Sequence, residues 1–254
     1  MMFFFKKKKI VVDCFTPLEA VHTLYPIAKS IDFYPTEFSK INSYFSFPDP
    51  QTRVQLRAST IKRCVGIVDY YKEGFIIPLW TDFICQPRTS PTVGMMTHPF
   101  KFGPHADESW KPTGMFSDYI HIKLMSPWQV REKSGVTFTW NACTWNLHKH
   151  SKNFIVVPAA LSFDVQTQTN INMFVDKNSD PFTISGGTPM IHLVPISDAE
   201  VELKTHLVSP EEYDKVGIPF DFDQLIPNRY NRYRNLLKNR QEKQQKKCPF
   251  GFGK

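Results

Sequence analysis

The chain has few cysteines and no CxxC pair: Cys14, Cys64, Cys85, Cys143 and Cys248 are odd in number and far apart. Thiolate zinc sites need closely spaced cysteines, so the pattern argues against one and for free thiols in a reducing compartment. The GxSxG, Walker, HExxH and GxGxxG motifs are missing too. Their absence removes the usual signatures of serine hydrolases, P-loop NTPases, zinc proteases and dinucleotide enzymes. No apolar run approaches the roughly 18 residues that span a bilayer. In MMFFFKKKKI the short apolar run precedes the lysines, the reverse of a signal peptide. The expectation is a soluble, non-secreted protein that makes no membrane contact. Glycine is sparse, at 11 of 254 residues, against 22 Phe and 20 Pro. Aromatics fill sheet cores and proline punctuates short strands, so a β-rich, loop-rich protein follows.

The net charge of +7 sits at the ends of the chain. Lys6–Lys9 form one cluster. Arg229, Arg232, Arg234, Lys238, Arg240, Lys243, Lys246 and Lys247 form the other, with Glu242 as its single acid. Charge confined to the ends implies arms, not a basic groove across the fold. The division expected is a β-rich globular domain over residues 1–226 and a basic helical arm with a flexible tail over 227–254.

Residues 153–196 speak most clearly for the fold. Phe154, Val156, Phe163, Val165, Ile171, Met173 and Val175 recur on every second residue, the period of a half-buried sheet. DKNSDP interrupts them as a turn. In FTISGGTPMIHLVPI, Gly186 and Gly187 can take positive φ and turn a corner ahead of Pro189. Earlier, KKIVVDCF reads as a first strand. Thr16 then serves as N-cap and Pro17 as the first position of a short helix that ends before Pro26. Residues 32–60 read as a long loop with strand fragments. In residues 61–85 the run IKRCVGIVDYY reads as a strand, KEG as a turn and GFIIPLWTDFIC as a second strand, with Pro78 at an edge or a bulge. Residues 86–117 read as a long connection. DYIHIKLMSPWQV and VTFTWNACTWNL read as strands about the turn EKSG, and residues beyond 197 carry weak strand signals. The fold expected is mainly β, a jelly-roll or β-clip-like sandwich or barrel.

The order RCVGIVDYYKEGFIIPLWTDF, THPFKFG, IKLMSPWQVREKSGVTFTW, NFIVVPAALSF and FTISGGTPMIHLVPI resembles a family of tailed-phage proteins without an established activity, found especially in phages of marine bacteria. The resemblance runs over roughly residues 8–240. It implies a viral protein, located in the virion or the host cytoplasm, with other viral proteins as partners. A more distant resemblance is to the β-clip of trimeric dUTPases, carried by VVPAALSFD and FTISGGTPMIHLVPI. Asp164 lacks the Tyr-Gly neighbours of the dUTPase catalytic strand, and no Pro-Arg-Ser-Ser-Gly loop is present. That likeness implies topology alone.

Candidate sites follow from residue type. His105-Ala106-Asp107 with a later His (His148, His150 or His192) could supply the facial triad of an Fe(II)/2-oxoglutarate oxygenase on a jelly-roll, with Lys152 or Lys204 pairing a carboxylate. The surface-loop reading of GPHADESW is favoured, because Gly103-Pro104 precedes the triplet where a strand is needed. His148 and His150 alternate as half a metal clamp would, yet Lys149 and Lys152 beside them disfavour a cation. Ser185–Thr188 could present amides to an anion, but a β-run follows where a phosphate site needs a helix, so a structural corner is preferred. Trp80, Trp128, Trp140 and Trp145 read as core, and Trp110, in the long connection, as a possible ligand platform. In the arm, Tyr230 and Tyr233 interleave with the basic residues, so nucleic-acid phosphates and bases are possible partners. Docking to protein is ranked above them. No cofactor is expected, and the leading reading is a non-enzymatic protein that works through protein–protein contacts.

Overall fold

The structure is a computed structural model that describes residues 9–87, 94–104, 113–114, 116–164 and 166–216. The basic arm, Trp110, His105, Asp107 and Val165 lie outside the described residues.

In chain order the elements are β1 (Lys9–Thr16), α1 (Glu19–Leu24), β2 (Ala28–Lys29), α2 (Thr36–Lys40), β3 (Tyr44–Pro48), β4 (Gln55–Ser59) and α3 (Val65–Tyr70). There follow β5 (Phe75–Pro78), β6 (Phe83–Cys85), β7 (Gly94–Met96), β8 (Lys101–Pro104), β9 (Tyr119–Met125), β10 (Gln129–Glu132) and β11 (Thr137–Ala142). The last are β12 (Phe154–Val156), β13 (Ala159–Ser162), β14 (Ile171–Asp176), β15 (Phe182–Ile184), β16 (Pro189–Pro195), β17 (Glu200–Leu207) and α4 (Pro210–Val216). The protein is mainly β. Among the described residues the strands form sheets ordered β10-β1-β17, β13-β11-β16-β5-β2, β12-β14-β9-β8, β15-β6-β7 and β3-β4, none of them closed into a barrel.

The alternating run behaves as its period requires. Phe154, Val156, Phe163, Ile171, Met173 and Val175 are all buried in one core. The four larger sheets share that core. Val12 and Val130, Phe138 and Leu193, Leu124 and Met173, and Phe83 and Ile184 enter it from successive sheets. Phe138 packs edge-on to Phe75 at 5.7 Å between ring centroids and lies 5.4 Å from Phe163. Burying each such ring contributes about 1.5–3 kcal/mol. Trp80, Trp128 and Trp140 are core residues as well. The segment after Asn153 does not stay in one sheet. β12 pairs with β14 and β13 pairs with β11, so the chain changes sheets at Val157-Pro158. Proline has no N–H to continue a ladder, which suits that corner.

Several elements depart from the sequence reading. Thr16 is not the helix N-cap. It ends β1, its Oγ1 accepts from the Leu18 N–H at 3.3 Å, and α1 starts at Glu19. VGIVDY is a helix, not a strand. Ile67, Tyr70 and Tyr71 recur at i, i+3 and i+4, the spacing of one helical face. GFIIPLWTDFIC makes two strands, β5 and β6, separated by Leu79–Asp82. Pro78 lies opposite Pro189 beside a register shift, so the proline sits at an irregularity where no ladder donor is needed. Residues 32–60 hold a short helix and a complete hairpin.

β17 is one of the two longest described strands and pairs in parallel with β1 from Lys9↔Glu200 to Thr16↔Leu207. It lies at a sheet edge and is only half buried, which explains its weak apolar alternation. α4 begins with a capping box. The Glu212 N–H donates to Ser209 Oγ at 3.2 Å and the Ser209 N–H donates to Glu212 Oε2 at 3.0 Å, with Pro210 at the first helical position.

Candidate functional site

The five-stranded sheet has two different faces. Phe75, Ile77, Ile191, Leu193, Phe138 and Trp140 enter the main core from one face. Ile76, His192 and Asn141 lie opposite one another across β5, β16 and β11 on the other face. There α3 supplies a cover of rings. The Tyr70 ring meets His192 edge-on at 4.2 Å, and the Tyr71 ring stacks on it at 5.8 Å. Tyr71 continues to Tyr34 at 5.7 Å, Tyr34 to Phe38 at 5.8 Å, and Phe38 to Trp145 at 5.2 Å. The turn into β5 depends on Gly74 (φ +76°), where a Cβ would stand 1.9 Å from the Leu193 carbonyl oxygen.

His192 is fully buried below this cover. Its Nε2–H donates to the Glu73 carbonyl at 2.8 Å, which leaves Nδ1 as a buried acceptor without a hydrogen-bond partner. Burial holds its pKa below the ordinary value, and the Glu73 bond opposes that shift. The Tyr71 and Tyr70 hydroxyls are pushed up, in each case mainly by burial, and Cys143 beside them likewise. The cluster is therefore neutral at ordinary pH.

Outside the cover runs an open groove of about 700 Å³, walled by Ile67, Tyr70, Asn141, Trp145, Ile155 and Pro158 among others, with no charged side chain among the described residues of its lining. Directly before α3 stands the β3–β4 hairpin. Its register, Phe45↔Ala58 and Phe47↔Leu56, puts Phe45, Phe47, Leu56 and Ala58 on one face and Tyr44, Ser46, Arg57 and Ser59 on the other. The polar face is held by the Arg57 guanidinium 3.8 Å above the Tyr44 ring, with Arg63 at 5.0 Å. Asp49 closes the tip, its Oδ1 accepting from the Gln51 and Thr52 N–H groups at 2.8 Å each. Those bonds, Thr52's first, hold its carboxyl below the usual range. The apolar face is exposed: Phe45 and Phe47 stack on each other at 5.6 Å in solvent.

Among the described residues, those singled out from sequence are not brought together. His192 sits inside β16, with one nitrogen committed to Glu73. His148 Nδ1 is bonded to the Trp145 carbonyl at 2.8 Å, and His150 packs on Phe154 and Phe182. Lys204 pairs with Glu202 at 3.5 Å, and Lys152 is exposed. Among the described residues no group of three His, Cys, Asp or Glu side chains could hold a metal ion. Gly186, Gly187 and Pro189 form a corner in which only Gly187 takes positive φ (+81°). The Gly186 N–H is taken by Asp82 Oδ1 at 2.8 Å and the Gly187 N–H by the Leu79 carbonyl at 2.7 Å, so these two amides serve the fold. Cys14, Cys64, Cys85 and Cys143 form no disulfide among the described residues. Among the described residues no helix is long and apolar enough to cross a membrane.

The sequence reading passes over the hairpin and the groove. The available signal is Phe-Ser-Phe and Leu-Arg-Ala flanking Asp49-Pro50, two short alternating runs about a turn. Comparison of the chain with family models, with curated proteins and with solved structures finds no match.

Proposed function

We propose that this chain is a non-enzymatic assembly protein that works by gripping other protein chains, with the β3–β4 hairpin as its grip. One observation carries the reading: a two-stranded ribbon whose Phe45, Phe47 and Leu56 share a solvent-exposed face. A lone two-stranded hairpin is marginal in water, and both its strands are edges. An apolar face on such an element gains stability when a partner covers it. The resemblance to the tailed-phage family supplies the setting, a virion component or an assembly factor in the host cytoplasm with viral proteins as partners. The finer fold assignment that goes with it is a jelly-roll or β-clip arrangement, supported by the antiparallel ladders of the five- and four-stranded sheets. The basic arm is a second handle, for an acidic protein surface first and nucleic-acid phosphates second.

Quantitative mass spectrometry of purified particles tests the reading. The wild-type chain is expected at a fixed copy number, and a chain carrying Phe45→Ser and Phe47→Ser at a level reduced by about tenfold or more. Absence of the wild-type chain from particles and assembly intermediates, or equal incorporation of both chains, overturns it.

A further inference from the structure

We infer that the partner gripped by the hairpin is a second copy of this chain, and that two copies exchange hairpins about a two-fold axis. Each copy seats Phe45 and Phe47 in the other's groove between α3, Trp145 and Ile155. The inference rests on the protein-contact reading above and names its partner.

Finger and receptor are complementary in kind. The finger presents Phe45 at 52 % exposure, Phe47 at 37 %, Leu56 at 39 % and Val54 at 60 %. The groove offers mostly aromatic and aliphatic walls with Asn141 and Thr144 among them, no charge among the described residues of its lining, and about 700 Å³. That volume lies inside the range of roughly 300–1,000 Å³ that accepts a drug-sized ligand, more than two phenyl rings need. The groove also has a tyrosine and a tryptophan in its walls, residue types enriched at contact hot spots.

Finger and receptor are also adjacent. Only residues 60–64 separate β4 from α3, which forms a wall of the groove. This link is fixed. The Thr60 N–H donates to the Ser43 carbonyl at 3.0 Å, Thr60 Oγ1 donates to the Asn42 carbonyl, and Lys62 Nζ donates to the Ser39 carbonyl. Arg63 reaches back over Tyr44. A finger anchored at its base loses little conformational freedom on docking. A finger and a receptor joined by a short fixed link suit a two-fold pair, because each patch then meets its counterpart twice.

Area decides between one contact and two. The four finger residues expose about 300–350 Å² of apolar surface on the usual side-chain areas. One finger and the wall it covers would bury at most roughly 700 Å² together, short of the ~1,200 Å² at which stable interfaces begin. Two reciprocal contacts double that ceiling to about 1,400 Å², which brings the standard class within reach.

The test uses the full chain in analytical ultracentrifugation. The wild type is expected to sediment as a dimer of two 29.5 kDa chains. A finger variant, Phe45→Ser with Phe47→Ser, and a groove variant, Ile155→Glu, are each expected to weaken dimerisation about 100-fold or more. Circular dichroism should leave both folded, since the substituted residues are exposed. Mixing the two variants restores one intact finger–groove contact per pair, too small for a stable dimer on its own, so the mixture should associate more strongly than either variant alone and more weakly than the wild type. A monomeric wild type overturns the inference, as does a dimer that survives both variants. If the monomeric wild type still requires Phe45 and Phe47 to enter particles, the inference falls and the protein-contact reading stands, with a different viral protein in the partner's place. A ladder of higher oligomers would mean head-to-tail chaining and would overturn the two-fold closure.

Discussion

His192 on β16 and Glu73 ahead of β5 are joined by a 2.8 Å hydrogen bond that fixes the buried imidazole with its proton on Nε2. The bond satisfies one nitrogen, and the other faces the protein interior bare. A neutral ring is stable there and a charged one is not.

Stability should therefore fall in mild acid. The folded pKa of His192 lies below the ordinary 6.5, so the unfolded chain takes up its proton first as pH drops. The contribution is intact above about pH 6.5 and is lost as pH falls from there toward the folded value. His150 adds in the same direction, through burial first and then Lys149 and His148. Urea midpoints measured between pH 8 and 5 should decline with acidity. His192→Phe should flatten that decline, at a cost of about 1 kcal/mol at pH 8 from the unpaired Glu73 carbonyl. An unchanged slope would contradict the assignment.

Two glycines should respond with opposite signs. Gly74→Ala forces a Cβ against the Leu193 carbonyl at positive φ and should cost more than about 3 kcal/mol, read by chemical denaturation. Gly66→Ala, within α3 and with nothing within 4 Å of the new carbon, should stabilise by about 0.5–1 kcal/mol.

Glu132 is a buried carboxylate that organises the turn from β10 to β11. It accepts from the Ser134 N–H, from the Gly135 N–H at 2.9 Å and from the Val136 N–H at 3.1 Å. Glu132→Ala strips three amides of their acceptor and should cost about 2–4 kcal/mol, with Glu132→Gln in between. Equilibrium unfolding with hydrogen exchange at residues 134–136 would read both effects.

Thiol reactivity should divide by burial. Cys64 is exposed, whereas Cys14, Cys85 and Cys143 are buried. Burial pushes the Cys85 thiol up to about 12 and those of Cys14 and Cys143 further still. Maleimide labelling of the native protein followed by peptide mapping should modify Cys64 and spare these three until denaturant is added.

The finger substitutions should leave the monomer's stability nearly unchanged. Phe45 and Phe47 point into solvent, so Phe45→Ser with Phe47→Ser should shift the unfolding free energy by less than about 1 kcal/mol, measured on dilute protein. A larger loss would mean that the rings pack within their own chain.

What the sequence disclosed follows from which residues had to be buried. Ile171, Met173 and Val175, like Ile122 and Leu124, alternate because one side of each strand faces the core, and that period is visible without coordinates. α3 escapes such a reading because a run of six residues is too short to separate a helical from an extended period. β17 escapes it because an edge strand tolerates polar residues on both sides. The finger is hidden for a related reason. Among the described residues nothing buries Phe45 and Phe47, so no neighbouring pattern announces them, and the register of β3 on β4 shows that their face is shared with Leu56.

The pairing of β1 with β17 sets Lys9 beside Glu200 and Thr16 beside Leu207. A ribosome delivers the first of these strands long before the second, so β1 must wait with that edge open until Glu200–Leu207 has been made. Chains released early, before Leu207 has emerged, would carry an uncapped sticky strand, and such fragments would be natural clients for chaperones and proteases.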